Sequence, residues 1–191
     1  MESYIDEFKK ERNKNSDLVV CINGPSGAGK GTLAAQVAEM LDVDHFSAGD
    51  VFRGIAADRG MDVVELSEKA DKETDLEVDR RTLERALDSD CVVDSRLSSW
   101  VLGSYADVKI YITADIEERA ARVAEREEIT REEALERIEK RDSDNRERYQ
   151  DYYGIDVENR EIYDLVLDNT DLGIEEQRKV IECYLEQRLE L

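Results

Sequence analysis

The nine residues Gly24-Pro25-Ser26-Gly27-Ala28-Gly29-Lys30-Gly31-Thr32 constrain this chain more than any other segment. An apolar run, Leu18 to Ile22, precedes them, and an amphipathic stretch, Leu33 to Leu41, follows. Strand, glycine-rich loop and helix in that order form the context a phosphate-binding loop requires. Glycines let the backbone turn tightly and aim its N–H groups at an anion. A helix starting near Lys30 adds its positive N-terminal end. Lys30 supplies a mobile point charge for the terminal phosphates of a nucleotide. An ordinary glycine turn is the competing reading, and the flanking strand and helix disfavour it.

The charge balance sharpens this. The chain has 191 residues, 48 acidic against 27 basic, for a net charge of −21. Such a surface repels itself at low salt and is screened at molar salt, where the Debye length is roughly 3 Å. The composition therefore predicts a salt-adapted protein, an acidic mesophilic one being the alternative. A phosphate site in this field must gather its cations locally, so clustered arginines carry information. Apolar residues fall in runs and stripes, which excludes disorder. No stretch reaches the 18 apolar residues of a membrane span, and residues 1–16 are charged rather than leader-like, so we expect a cytoplasmic chain. Cys21, Cys91 and Cys183 lack metal-ligand spacing and read as small buried hydrophobes in a reducing compartment. His45 is the sole histidine, which excludes a His-based triad or a multi-His metal site. No basic stripe offers a surface for nucleic acid.

Patterning predicts strands at Leu18–Asn23, Asp44–Ser47, Cys91–Val93, Val108–Ile112 and Leu165–Leu167. Between them it predicts helices at Thr32–Leu41, Val51–Arg59, Val63–Lys72, Leu76–Leu87, Ile116–Glu127, Arg131–Tyr152 and Ile174–Leu189. Thr130-x-x-Glu133 opens the long charged helix as a capping box. Strands alternating with helices argue for an α/β architecture, a five-stranded parallel sheet flanked by helices. Residues 1–16 read as a polar helical extension with Tyr4, Ile5 and Phe8 on one side, and residues 17–191 as a single domain. Two charged segments, about 50–88 and about 126–153, lack strands and suggest mobile flaps.

Ligands bind at the carboxyl ends of parallel strands. After the second strand comes Ser47-Ala48-Gly49-Asp50-Val51-Phe52-Arg53, and after the third Asp94-Ser95-Arg96. Both place an arginine and an aspartate at the edge that carries the glycine loop. Arginine suits phosphate because its fork donates two parallel bonds. Asp94 suits a carboxylate that orients magnesium or its waters, a turn cap being the plain alternative. Arg119, Arg131, Arg137 and Arg146 lie among many acids and read as surface ion pairs of little worth.

These blocks resemble a known family. The loop at 24–32, S-A-G-D-V-F-R at 47–53, D-S-R-L-S-S-W at 94–100 and R-Y-Q-D-Y-Y-G-I-D at 148–156 are similar to archaeal-type cytidylate kinases, over about residues 18–170. The resemblance implies a P-loop nucleoside monophosphate kinase fold with a helical acceptor-binding flap (about 50–88) and a short lid (about 126–141). It implies transfer of a phosphoryl group from ATP, with Mg2+, to CMP or dCMP. Lys30 matches the lysine that stabilises the moving phosphoryl group, with the loop Gly24 to Thr32 and Arg122 on the donor. Arg53 and Arg96 match arginines on the acceptor α-phosphate. Asp94 matches the acid near magnesium, to which Thr32 is a second candidate contact. Arg122 and Arg126 match a lid-base pair. Arg141 and Arg148, two helical turns apart, match the ends of an R-D-x-x-D-x-x-R stretch in bacterial relatives, with Asn145 where those have Asp. Ser47, Asp50, Arg53, Arg96, Arg141 and Arg148 are thus the expected acceptor side, with Ser98 and Ser99 as further candidates for the base. Lys30, Arg96, Arg126 and Arg141 are the expected catalytic cations.

The G-K-G-T spelling at Gly29–Thr32 is nearer to adenylate kinases, so AMP and UMP stay open as acceptors. A catalytically weak P-loop protein with a protein partner is the reading from another class. A binder needs no second phosphate site, which the arginine set argues against. The expected partners are therefore ATP and a nucleoside monophosphate, with no nucleic acid or membrane, acting on a monomeric enzyme.

Overall fold

A computed structural model describes residues 4–61, 65–66 and 69–190. Five strands form one all-parallel sheet: β1 (Val19–Asn23), β2 (Asp44–Ser47), β3 (Cys91–Asp94), β4 (Val108–Thr113) and β5 (Leu165–Asp168), in the order β2-β3-β1-β4-β5. The helices are α1 (Tyr4–Phe8), α2 (Lys30–Leu41), α3 (Ala48–Asp58), α4 (Lys72–Asp88), α5 (Ser98–Leu102), α6 (Ile116–Glu127), α7 (Arg131–Tyr153) and α8 (Ile174–Leu189). The predicted sheet and its neighbouring helices are present within a residue or a few at each end.

The strands read as continuous apolar runs because both faces are covered. Within β1, Val19 and Cys21 face one core with Phe46, Leu83, Val93 and Leu97. Val20 and Ile22 face the other, with Leu33, Val37, Ile110, Ile112, Ile181 and Leu185. Alternation persists, but each face meets a helix layer rather than water. A smaller core of Ala120, Val123, Ala124, Ala134 and Ile138 joins α6 to α7 as a helical hairpin.

Three local expectations are corrected. The N-terminal segment is helical only over Tyr4–Phe8 among the described residues, not to residue 16. Its later donors leave the helix for tertiary partners: Arg12 N–H donates to the Tyr105 hydroxyl, and the Asn15 and Ser16 N–H groups to Leu87 O. Phe8 is buried beside Tyr153, which ties this segment to the main core. The helix α3 starts at Ala48 rather than Val51, because Ser47 and Asp50 form a capping box. The helix α4 starts at Lys72 rather than Leu76, because Asp71 caps it through the Thr74 N–H. The expected helix at Val63–Lys72 lies partly outside the described residues; of those described, Glu65, Leu66 and Lys69 are helical and Lys72 opens α4.

Strand order also places the site. The chain leaves β1 for the edge at β2, returns to β3, and then crosses β1 to reach β4. The carboxyl ends of β1 and β3 therefore lie side by side at the point where the order reverses, the crevice in which such sheets take ligands. Ile22 is paired with Asp94, and the Ser95 N–H donates to Ile22 O at 3.2 Å.

Candidate active site

The glycine loop runs from the end of β1 to the start of α2. A Cβ at Gly24 would stand 2.3 Å from the Ile112 carbonyl oxygen, so only glycine lets the loop pass β4 this closely. Gly27, with φ +78°, presses on the Arg119 backbone, where a Cβ would lie 2.7 Å from its carbonyl oxygen. The N–H groups of Lys30, Gly31 and Thr32 open α2 and have no carbonyl partner inside it. Together with the helix dipole they make one positive pole.

Lys30 donates from Nζ to Pro25 O at 2.8 Å. Desolvation of its ammonium, then the nearby Arg96 charge, push its pKa down to about 7, while Asp94 and Asp142 pull it back up. Arg96 follows β3, and its guanidinium donates to Ser26 Oγ at 2.6 Å. Arg141 on α7 has its charged form disfavoured by desolvation and then by Arg96 and Arg126. Neither Lys30, Arg96 nor Arg141 has a carboxylate within ion-pair distance among the described residues. In a chain with 48 acids, three neighbouring cations without a carboxylate partner among the described residues make a local positive patch suited to an anion.

Asp94 ends β3 at 9% exposure. A methyl group at Gly31 would lie 3.4 Å from its Oδ2, which places the carboxylate against the first turn of α2. Its Oδ1 is buried without a hydrogen-bond partner, and His45 Nε2 stands 3.6 Å away, likewise unpartnered. A carboxylate with Oδ2 against the phosphate loop and Oδ1 unsatisfied fits a hydrated Mg2+. Thr32 is exposed on the same helical turn.

Other expected residues are placed differently. Arg53 is 60% exposed and bonded to Asp50, away from the Lys30 group. Ser47 and Asp50 are engaged in the cap of α3. Arg126 is 62% exposed and paired with Glu127. Arg148 reaches Asp75 of α4 at 3.1 Å and the Asn145 side-chain oxygen at 2.8 Å, fastening α7 to α4. Ser98 and Ser99 are buried and donate to Asn23 Oδ1, so they support β1 from inside instead of facing a cleft. Arg122 donates to the Asn169 side-chain oxygen at 2.9 Å and to its backbone carbonyl at 3.0 Å, and Asn169 in turn donates to Ala28 O of the loop.

Four contributors escaped the sequence reading. Arg119 is no surface ion pair: its side chain is 12% exposed and bonds Ala114 O, Ser26 O and Asp142. Asp142 also accepts the Ser26 N–H at 3.2 Å. Asn169 closes the base of the loop. Asp79 accepts the Tyr153 hydroxyl at 2.6 Å, and burial pushes its pKa up to about 7. The signals were present but faint. Arg119 precedes Arg122 and Arg126 by one and two turns on α6, and Asp142 directly follows Arg141.

Comparison with known proteins agrees with this geometry. Residues 19–171 match the family described as the cytidylate kinase-like family. The chain is 45% identical over 169 residues to a cytidylate kinase of Ignicoccus hospitalis, covering 87% of this chain and 98% of that one. It is 42% identical over 159 residues to a cytidylate kinase of Halobacterium salinarum, covering 82% and 83%. In fold it is similar to a shikimate kinase from Bacteroides thetaiotaomicron, with a TM-score of 0.58, 15% identity, and 91% and 99% of the two chains covered. The chain belongs to the cytidylate kinase-like family, on a parallel α/β scaffold shared with P-loop kinases.

Proposed function

We propose that this chain transfers the γ-phosphoryl group of ATP to CMP or dCMP, giving ADP and the corresponding diphosphate. The observation that carries the reading is the group Lys30, Arg96 and Arg141 at the mouth of the glycine loop, without carboxylate partners among the described residues. Its relatives are cytidylate kinases over most of their length.

Phosphoryl transfer asks for in-line positioning and positive charge around the moving group. The loop N–H groups and Lys30 hold the donor phosphates. Arg96 holds the acceptor phosphate beside them, and Arg53 joins it by leaving Asp50 when the segment of about 50–88 closes as a flap. Arg141 lies over the transferred group, with Arg126 joining it from the α6–α7 hairpin as the lid closes. Arg148 completes the acceptor side by leaving Asp75, to which it is bonded in this conformation. An acceptor phosphate oxygen is already ionised near neutrality, so the nucleophile requires no general base, in keeping with a single histidine outside that role. Asp94 and Thr32 are the residues that would hold Mg2+, largely through water. When bound, the ion neutralises charge on the donor phosphates. Closure of flap and lid excludes water, which protects ATP from hydrolysis. Cys21 and Cys91 are buried as expected while Cys183 is exposed, and all three thiols are free, which fits a reducing compartment and supports a cytoplasmic enzyme.

The test is a coupled assay with ATP and Mg2+ over CMP, dCMP, UMP and AMP in molar KCl. The expected result is a kcat/KM for CMP or dCMP at least about tenfold above the others, a gap of roughly 1.4 kcal/mol. Preference for AMP would reassign the acceptor. Slow ATP hydrolysis indifferent to every monophosphate would overturn the reading.

A further inference from the structure

Ser26 is gripped at three points by three elements. Its hydroxyl accepts Arg96 at 2.6 Å, its carbonyl accepts Arg119 at 3.0 Å, and its N–H donates to Asp142 at 3.2 Å. The last two partners are themselves joined, Arg119 NH1 donating to Asp142 Oδ2 at 2.7 Å. Arg119 is fixed further by its Nε, which donates to Ala114 O at 3.1 Å, and by its backbone, on which Gly27 packs. The donors on NH1 thus divide between the loop and the hairpin helix α7, while Nε holds the segment after β4.

We infer that Arg119 and Asp142 are a positioning pair that fixes the Ser26 peptide, and through the Ser26 hydroxyl sets the Arg96 guanidinium for transfer. The inference rests on the reading of Arg96 as the arginine of the acceptor phosphate. Neither residue of the pair touches the reacting atoms. The side-chain geometry needs an arginine: one planar fork satisfies three acceptors, which an ammonium on a flexible stem does not reproduce. It needs a carboxylate as well, because Asp142 accepts on both oxygens and an amide would turn a donor toward either Arg119 or the Ser26 N–H. The physical consequence is linkage. A donor loop held by α6 and α7 cannot shift without moving the acceptor arginine, so the two phosphate sites stay in register. A loosened Ser26 leaves the donor bound but misdirects Arg96, and water then competes with the acceptor.

The test uses the full chain with Asp142→Ala and Arg119→Lys. Hydrogen exchange at the Ser26 amide is measured without nucleotide, and the ratio of acceptor-independent ATP hydrolysis to phosphoryl transfer is measured with ATP and CMP. That ratio does not depend on how much of each variant is folded. Ser26 exchange is expected to speed up by about tenfold in Asp142→Ala, the scale of one lost charge-assisted hydrogen bond. The hydrolysis-to-transfer ratio is expected to rise by about tenfold in both variants, with the KM for ATP within about threefold of wild type. Unchanged Ser26 exchange in Asp142→Ala overturns the pair as a brace. An unchanged ratio overturns its role in register. Tighter ATP binding in Asp142→Ala overturns both, since it would make the carboxylate a competitor for the phosphates. If wild type phosphorylates no monophosphate, the functional reading fails, while Ser26 exchange still decides the brace.

Discussion

Arg96 donates to the Ser26 hydroxyl at 2.6 Å, joining the turn after β3 to the glycine loop after β1. The two residues are 70 apart in sequence and meet because their strands are neighbours in the sheet. The glycine loop and Arg96 are therefore one structure, so a change at either one is felt by the other.

Lys30→Ala removes the ammonium that the loop itself carries. Turnover is expected to fall by about a thousandfold, the scale of losing one preorganised charge partner in the transition state. The far-UV circular dichroism should not change, since Lys30 is the first residue of α2, is only half-buried and bonds only Pro25 O through its side chain among the described residues. Turnover near wild type would refute the assignment.

The depressed pKa of Lys30, about 7, predicts a protonic signature. In the free protein at pH 8 most Lys30 side chains are neutral. The phosphates of ATP favour the ammonium, so binding takes up a proton, and ATP affinity declines as pH rises above about 7. Calorimetry at pH 8 in buffers of different ionisation enthalpy reads this directly. Lys30→Met should abolish the uptake, and an uptake equal in both proteins would contradict the assignment.

Arg53 is exposed and held by Asp50 in this conformation, so its proposed role depends on closure. Arg53→Ala is expected to raise the KM for CMP by about tenfold, as for one lost charge-assisted contact. The KM for ATP should stay unchanged. Equal effects on both substrates would point to a general loss of structure instead.

Asp79 gives a stability prediction. Burial raises its folded pKa to about 7, well above the ordinary aspartate value. The folded state therefore holds this proton more tightly than the unfolded state, and the stability so gained is lost as pH rises from about 4 through about 7. Asp79→Asn should remove a pH-dependent difference on the order of 2 kcal/mol. Urea titrations of both proteins at pH 5 and pH 8 supply the comparison, and parallel pH dependence would count against the buried carboxyl.

A net charge of −21 predicts that KCl stabilises the fold by screening. The melting temperature should rise by several degrees between 0.1 and 2 M KCl, values at which the Debye length falls from about 10 Å to below about 3 Å. A fall over that range would remove salt adaptation as the reason for the acidic surface.

The strand–loop–helix unit, the five parallel strands and the residues that end each strand could be read from the sequence. They are local: period, apolar runs and glycine spacing follow from backbone geometry within a few residues. The placing of Lys30, Arg96 and Asp94 on one edge of the sheet could be read as well, because strand ends converge there whatever their exact order. Tertiary structure alone decided which arginines serve the loop. Arg119 and Arg131 look alike among acids, yet only Arg119 is carried by α6 onto the carbonyl of Ser26. It also decided that Ser98 and Ser99 turn inward to Asn23, and that Arg148 spends its guanidinium on Asp75. Those outcomes depend on which helix packs on which strand, a long-range matter that side-chain type and spacing do not encode.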